Sequence, residues 1–180
     1  MLSQYDRFIP EYTDGSVQDN RTTCAVPIKD NPHLYRQPDH TSIFTAELYA
    51  ISMAIDKIKD TPDNKFLICS DSLSSLQTLK SGIENSLSHR IMHKIATANK
   101  TIQFEYVPSH KDIPGNVAAD HHADEAIKLP TITEIPLSYC DFRTKIKRYL
   151  NTKWQENWDN INTYPHNTTH LYPIKTIIKD

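Results

Sequence analysis

Cysteine is scarce in this sequence, and its scarcity argues against two classes of small protein. Cys24, Cys69 and Cys140 are odd in number and lie far apart. A disulfide framework or a cysteine zinc site needs several cysteines at short, paired spacings, so we expect neither. Few cysteines also fit a reducing compartment.

Long apolar runs and a leader segment are missing as well. No stretch approaches the ~18 consecutive apolar residues that a membrane-spanning helix needs. Residues 1–6 lack the basic and apolar regions of a secretory signal. These absences predict an intracellular protein, cytoplasmic or nuclear, that is neither secreted nor bound to a membrane.

The chain has no excess of positive charge. Its 20 Lys and Arg residues stand against 22 Asp and Glu residues, which gives a formal net charge of −2. Any binding of nucleic acid must therefore come from local basic patches or from bound metal. The length of 180 residues and the hydrophobic content of 38% suit one domain with some tail.

The elements that are present follow one another as in an α/β protein. The first three are short strands joined by short turns, which predicts an antiparallel meander. An amphipathic helix follows, in which Phe44, Leu48 and Ile51 recur at steps of four and three. The predicted strands span residues 8–14, 22–28, 34–37, 65–72 and 102–107, and the predicted helices span about 43–58, 73–80, 88–98 and 114–127.

Two acidic residues come at the ends of strands. Asp14 closes the first strand and Asp71 the fourth, at the strand ends where open α/β sheets place their chemistry. Gly15 then lets the backbone turn. Each acid has an ordinary alternative, because Asp-Gly is a common turn dipeptide and Asp71 could cap the next helix.

Two further acidic residues lie on helices. Glu47 shares its helical spacing with Ile51 and Ile58, so it lies on or beside the buried stripe, where a carboxylate must be paired or bind a metal. Asp120 is expected to point inward from the last helix, with Asp124 as its competitor. Crowded carboxylates repel one another, and divalent cations relieve this; oxygen ligands favour Mg²⁺ or Mn²⁺.

Histidines give less evidence of a metal site. His89 and His93 are four apart, as in some zinc sites, but no further ligand is evident. His121 and His122 are adjacent and should therefore diverge on their helix. His110, in the loop before that helix, could move protons during attack by water or release of product.

Four short motifs, in order and at matching spacing, resemble the type 1 ribonuclease H family over about residues 8–129. They are Thr13-Asp14-Gly15-Ser16, Thr45-Ala46-Glu47-Leu48, Ser70-Asp71-Ser72, and Val107-Pro108-Ser109-His110 followed by Gly115-Asn116-Val117-Ala118-Ala119-Asp120. Residues 43–48 and 153–158 resemble in particular the ribonuclease H domains in polyproteins of arthropod-type non-LTR retrotransposons. Such polyproteins normally continue past this tail, which would make the chain a fragment or a degenerate copy.

The resemblance implies a ribonuclease H-like α/β fold, with a mixed five-stranded sheet in the order 3-2-1-4-5 flanked by helices. It implies an enzyme that cuts the RNA strand of an RNA–DNA hybrid with two ions of Mg²⁺, or of Mn²⁺. By motif match, the residues implied are Asp14, Glu47, Asp71 and Asp120 as metal ligands and His110 as the loop histidine. Backbone groups near Gly15 and Ser16 are the candidate contacts to ribose 2′-hydroxyls of the hybrid, because a turn without bulk lets the strand approach. An upstream reverse transcriptase domain is a further expected partner.

Several positions depart from the family pattern. Val117 stands where an acidic residue is common, residues 22–25 lack the usual glycines, and Pro10 lies in the central strand. A second hypothesis is therefore a catalytically degenerate module that still binds hybrid or structured RNA. A third is another two-metal enzyme of this fold, such as an exonuclease or an integrase-like protein, which the loop histidine disfavours.

The predicted organisation has three parts. Residues 1–7 form a lead-in, residues 8–129 the ribonuclease H-like domain, and residues 130–180 a tail. The tail holds the most basic stretch of the chain and a predicted helix that ends at Trp158, with Phe142, Ile146 and Tyr149 on its apolar side. The rest of the tail is expected to be irregular.

Overall fold

A computed structural model describes residues 5–28, 31–82, 86–109, 111–136 and 138–162. The strands are β1 (Ile9–Gln18), β2 (Arg21–Ile28), β3 (Asn31–Gln37), β4 (Lys65–Ser70) and β5 (Thr101–Tyr106). The helices are α1 (Ile43–Lys59), α2 (Leu73–Ser81), α3 (Ser86–Thr97), α4 (Pro114–Glu125) and α5 (Tyr139–Asn162), with a 3₁₀ turn over Ala126–Lys128.

The five strands form one mixed sheet in the order β3-β2-β1-β4-β5. β2 pairs antiparallel with β1 and β3, whereas β4 pairs parallel with β1 and β5. The strand order and the flanking helices confirm the predicted fold class.

β1 continues past Asp14, so the predicted turn at Gly15 is wrong. The strand pairs with β4 over residues 9–13 and with β2 over residues 14–18. The chain reverses instead at Asp19 and Asn20, whose φ angles are 48° and 64°. Two consecutive residues with positive φ are typical of a tight hairpin turn.

Gly15 is needed for the close approach of α1 to β1. A Cβ at this position would lie 3.0 Å from the Cβ of Ala46 and 3.1 Å from the backbone nitrogen of Glu47. A side chain here would push the helix away from the strand, so the missing side chain is what brings Glu47 against β1.

α1 begins where the sequence predicts. Ser42 is its N-cap, and the Ser42 Oγ accepts a hydrogen bond from the Thr45 backbone N–H at 3.2 Å. Leu48, Ile51 and Ile55 are fully buried, as the spacing of the apolar residues predicts.

β4 is buried on both faces, which confirms the interpretation of its continuous apolar run. Phe66 and Ile68 belong to the apolar cluster that includes residues of α1, α2 and α3. Leu67 and Cys69 belong to a second cluster together with Val107. The two clusters cover opposite faces of the strand because successive side chains alternate.

The unusual residues in β1 and β2 fit the sheet. Pro10 pairs with Leu67 of β4, and the register between β1 and β2 begins only at Asp14. In β2, the Thr22 hydroxyl donates to the carbonyl of Thr41 at 2.7 Å. These two departures from the family pattern therefore leave the strand pairing intact.

The chain divides into two compact units, Met1–Ser138 and Tyr139–Asp180. Within the first, the Thr133 N–H donates to the carbonyl of Arg36 in β3 at 2.6 Å. The second holds α5, which extends past Trp158 to Asn162. The domain boundary after residue 129 stays a prediction. Among the described helices, none is both long and apolar enough to cross a bilayer.

We expect Gly15→Ala to destabilise the protein by roughly 1–3 kcal/mol, because the new methyl group overpacks the contact between β1 and α1. Urea unfolding of the native chain and the variant measures the difference. Val17→Ala, at an exposed position of the same strand, is the matched control. Equal stability of the two variants would contradict the close approach as the reason for glycine.

Candidate active site

The strand register places Asp14 and Asp71 side by side. β1 and β4 run parallel, and the last residue pair in their register is Thr13 with Ser70. Asp14 directly follows Thr13, and Asp71 directly follows Ser70. Both carboxylates therefore lie at the same edge of the parallel pair, as the sequence predicts.

Glu47 joins these two carboxylates from α1. The contact between α1 and Gly15 brings it to the strand, where Glu47 is only 5% and Asp14 only 4% exposed. Carboxylate oxygens of Asp14, Glu47 and Asp71 all lie within 4.8 Å of one another. Three acidic groups therefore converge on a space that one small cation could share.

Asp120 faces the same cleft from α4, although it is exposed rather than directed into the core. The buried residues of α4 are Asn116, Ala119 and Ala123. The cleft has a volume of about 320 Å³. Its lining residues are Asp14, Gly15, Ile43, Phe44, Glu47, Asp71, Ser72, Ser74, Ser109 and Asp120.

Asp124, the competitor of Asp120, is not among the cleft residues. Its Oδ1 accepts hydrogen bonds from the Ser16 hydroxyl at 2.6 Å and from the Gln18 amide at 2.7 Å. At the other end of α4, a Cβ on Gly115 would lie 2.1 Å from the Tyr12 ring. Both ends of α4 are thus fixed against β1, which sets the position of Asp120.

Burial and mutual repulsion raise the pKa of two of these carboxyls. Burial, followed by the negative charge of Asp71, raises the pKa of Asp14 to about 8. Burial, followed by the charge of Asp14, raises the pKa of Glu47 to about 9. A hydrogen bond from the backbone N–H of Gly15 partly offsets both shifts.

The buried oxygens of these residues fit a divalent cation. Among the residues that the structure describes, none donates to Asp14 Oδ2 or Glu47 Oε2, although both atoms are buried. Asp71 Oδ2 accepts a hydrogen bond from the Ser109 hydroxyl at 2.8 Å. A set of carboxylate oxygens suits Mg²⁺ or Mn²⁺ and would lose its repulsion on binding.

Comparison with known proteins agrees with this architecture. A model of the RNase H family matches residues 9–128. The chain belongs to the RNase H family. This membership confirms the enzyme class predicted from the sequence, a ribonuclease H hydrolase.

A solved structure shares the RNase H fold. The crystal structure of LC11-RNase H1 in complex with RNA/DNA hybrid superposes with a TM-score of 0.53 at 20% identity. The match covers 66% of this chain and 95% of that one. A search of curated protein sequences finds no match.

Gly15, Ser16 and His110 are the other residues predicted for this RNase H site. Gly15 lines the cleft, whereas the Ser16 hydroxyl is engaged by Asp124. His110 lies outside the described residues. Asp71 does not cap α2, because Ser72 occupies the N-cap position.

Sequence reasoning gave no role to Ser109, which donates to Asp71. Its only signal was its place inside the loop motif, directly before the histidine. The sequence around a loop serine does not show whether its hydroxyl donates a hydrogen bond to a carboxylate or is solvated.

The raised pKa values make the stability of the metal-free protein depend on pH. Below pH ~3, Asp14 and Glu47 are protonated in the folded and the unfolded chain alike. As the pH rises toward 8 to 9, the unfolded chain loses these protons while the folded chain keeps them. The free energy of unfolding should fall by up to about 1.4 kcal/mol per pH unit for each carboxyl.

Urea unfolding in EDTA at several pH values between ~5 and ~8 measures this slope. We expect Asp14→Asn and Glu47→Gln each to flatten it, because each removes one titrating group. Asp19→Asn, in the hairpin turn, is the control and should keep the native slope. A native protein as insensitive to pH as the two variants would contradict the raised pKa values.

Proposed function

We propose that this chain hydrolyses the RNA strand of RNA–DNA hybrids endonucleolytically, and that Asp14, Glu47, Asp71 and Asp120 hold two divalent cations for this reaction. The observation that supports it most is the convergence of Asp14, Glu47 and Asp71 within 4.8 Å. Buried carboxylate oxygens without a donor, such as Asp14 Oδ2 and Glu47 Oε2, destabilise a fold unless a cation binds them. Asp120 completes the set from the open side of the cleft.

The residues of the cleft have separable roles in this proposal. Bound there, two Mg²⁺ or Mn²⁺ ions would stabilise the attacking and the leaving oxygen of a phosphodiester. Ser109 fixes the orientation of the Asp71 carboxylate through its hydrogen bond. The N–H of Gly15 favours the ionised forms of Asp14 and Glu47, which are the forms that bind a cation. His110 is proposed to move protons as water attacks or product leaves.

The proposed substrate follows from family membership and from the shape of the site. LC11-RNase H1, which shares the fold, has been crystallised with an RNA/DNA hybrid. The cleft is open, so a phosphodiester in a helical substrate can reach the carboxylates. We assign the contact with ribose 2′-hydroxyls to backbone groups at Gly15 and Ser16, because the Ser16 side chain is already used by Asp124.

The alternative of a degenerate binding module is less well supported. Val117, which replaces a common acidic residue, is 49% exposed and is not among the residues that line the cleft. All four predicted carboxylates line it. A module that only bound phosphates would be expected to replace these repelling acids with neutral or basic residues.

The cellular context is the second part of the proposal. The motif over residues 43–48 and the helical segment over residues 153–158 support an origin in a non-LTR retrotransposon. An upstream reverse transcriptase domain of the same polyprotein would then be the partner, and the site of action would be intracellular.

The decisive experiment is incubation of the chain with an end-labelled RNA–DNA hybrid in Mg²⁺, in Mn²⁺ and in EDTA, beside single-stranded RNA and duplex DNA. We expect cuts that depend on metal and are confined to the RNA of the hybrid. Binding of the hybrid by folded protein without any cleavage would instead establish the degenerate module. Cleavage of duplex DNA would point to the third hypothesis, another nuclease of this fold.

We expect Asp14→Asn to reduce cleavage by roughly 100-fold or more while the protein still binds hybrid, because a metal ligand contributes several kcal/mol to the transition state. Cleavage rate and hybrid affinity are measured on the same preparation. Asp19→Asn makes the same chemical change at an exposed position and should leave both unchanged. Equal loss of cleavage and binding in Asp14→Asn would identify Asp14 as a folding residue.

A further inference from the structure

A second group of metal-ligating side chains lies at the C-terminal end of α4. The Nδ1 atoms of His121 and His122 lie 3.6 Å and 3.3 Å from Glu125 Oε2. One ligand atom from each residue falls within 4.8 Å of the others. We propose that His121, His122 and Glu125 form a binding site for Zn²⁺ or a similar transition-metal ion, separate from the carboxylate cleft.

The sequence predicts that the two adjacent histidines diverge, and this prediction is wrong. Glu125 lies four residues after His121 and three after His122, so both helical spacings place it within reach. The two imidazole rings turn toward it and pack edge to face, with their centroids 5.8 Å apart. One carboxylate thus draws two neighbouring rings to the same point.

The distances among these side chains are compatible with a shared zinc ion, although His122 Nδ1 and Glu125 Oε2 are also within hydrogen-bond distance. Ligands held about 2.0–2.1 Å from a tetrahedral ion lie roughly 3.3 Å from each other. The distances from the Nδ1 atoms of His122 and His121 to Glu125 Oε2, 3.3 Å and 3.6 Å, are near this value. Two imidazoles with one carboxylate favour Zn²⁺, Cu²⁺ or Ni²⁺ over Mg²⁺.

The site is open to an ion from solution. The side chains of His121, His122 and Glu125 are 70%, 27% and 43% exposed. None of them is among the residues that line the carboxylate cleft. A coordination position facing solvent can therefore keep a water molecule, as in zinc sites with three protein ligands.

The backbone that carries the site is held in place. Asp124, next to Glu125, accepts hydrogen bonds from Ser16 and Gln18 of β1. The carbonyl of Ala123 accepts one from the Thr23 hydroxyl at 2.7 Å. The ligands thus project from a fixed turn of helix, and only side-chain rotations are needed to close around an ion.

The test is a calorimetric titration of the full chain with Zn²⁺ in excess Mg²⁺, which keeps the carboxylate cleft supplied with its preferred kind of ion. We expect one Zn²⁺ to bind, and His122→Ala and Glu125→Gln to weaken that binding roughly tenfold or more. Co²⁺ in place of Zn²⁺ should give visible absorption that the same variants lose. Circular dichroism checks that each variant folds.

Two control variants separate this site from the others on the chain. His89→Ala removes one of two histidines, His89 and His93, that are four residues apart on α3. They line a surface pocket together with Arg90 and Lys94, whose positive charges disfavour a cation, so we expect no zinc to bind there. Glu47→Gln changes the cleft alone. We expect both controls to bind Zn²⁺ like the native chain, with the same rise in Tm on adding Zn²⁺.

Several outcomes would overturn the proposal. Native Zn²⁺ affinity in His122→Ala would exclude His122 as a ligand. Loss of binding in His89→Ala or in Glu47→Gln would place the ion on α3 or in the cleft. Since no cleavage is measured, failure here leaves the proposed nuclease function standing, and failure of that function leaves this site testable.

Discussion

The close approach of α1 to β1 at Gly15 is the contact on which the candidate site depends. It sets the Glu47 carboxylate beside Asp14, because nothing larger than hydrogen separates the strand from the helix. The strand register independently sets Asp71 beside Asp14. One backbone contact and one register thus fix three carboxylates, and the hydrogen bond from the Gly15 N–H keeps two of them partly ionisable.

This arrangement carries a cost that the rest of the fold must offset. Burial and repulsion disfavour the ionised forms of Asp14 and Glu47, so the metal-free site opposes folding near neutral pH. The apolar clusters on the two faces of β4 supply the opposing free energy. Cation binding would remove this penalty. Any cation that binds the cleft of the folded chain would therefore also raise the free energy of unfolding.

The order of the elements and the strand order could be predicted from the sequence, because apolar spacing identifies helices and strands and the motifs identify the family. Gly15 could not be assigned correctly, since a glycine after a strand fits both a turn and a close approach. The observed hairpin turn has positive φ at both Asp19 and Asn20. Asp and Asn tolerate this conformation, but their presence in a sequence does not by itself predict it. Helical spacing likewise could not distinguish a core position from a cleft wall for Asp120.

α4 shows why acidic residues on one helix cannot be assigned from composition. Asp120 faces the cleft, Asp124 accepts two hydrogen bonds from β1, and Glu125 meets two histidine rings. The three acidic residues differ in their angular position around the helix. The packing of α4 against β1 therefore determines which groups each side chain contacts. The buried face at Ala119 and Ala123, together with the hydrogen bonds of Asp124, holds α4 in the rotation that turns Asp120 to the cleft and the histidines away from it. A change in this packing would therefore disturb the carboxylate cleft and the group of His121, His122 and Glu125 together, although the two share no residue.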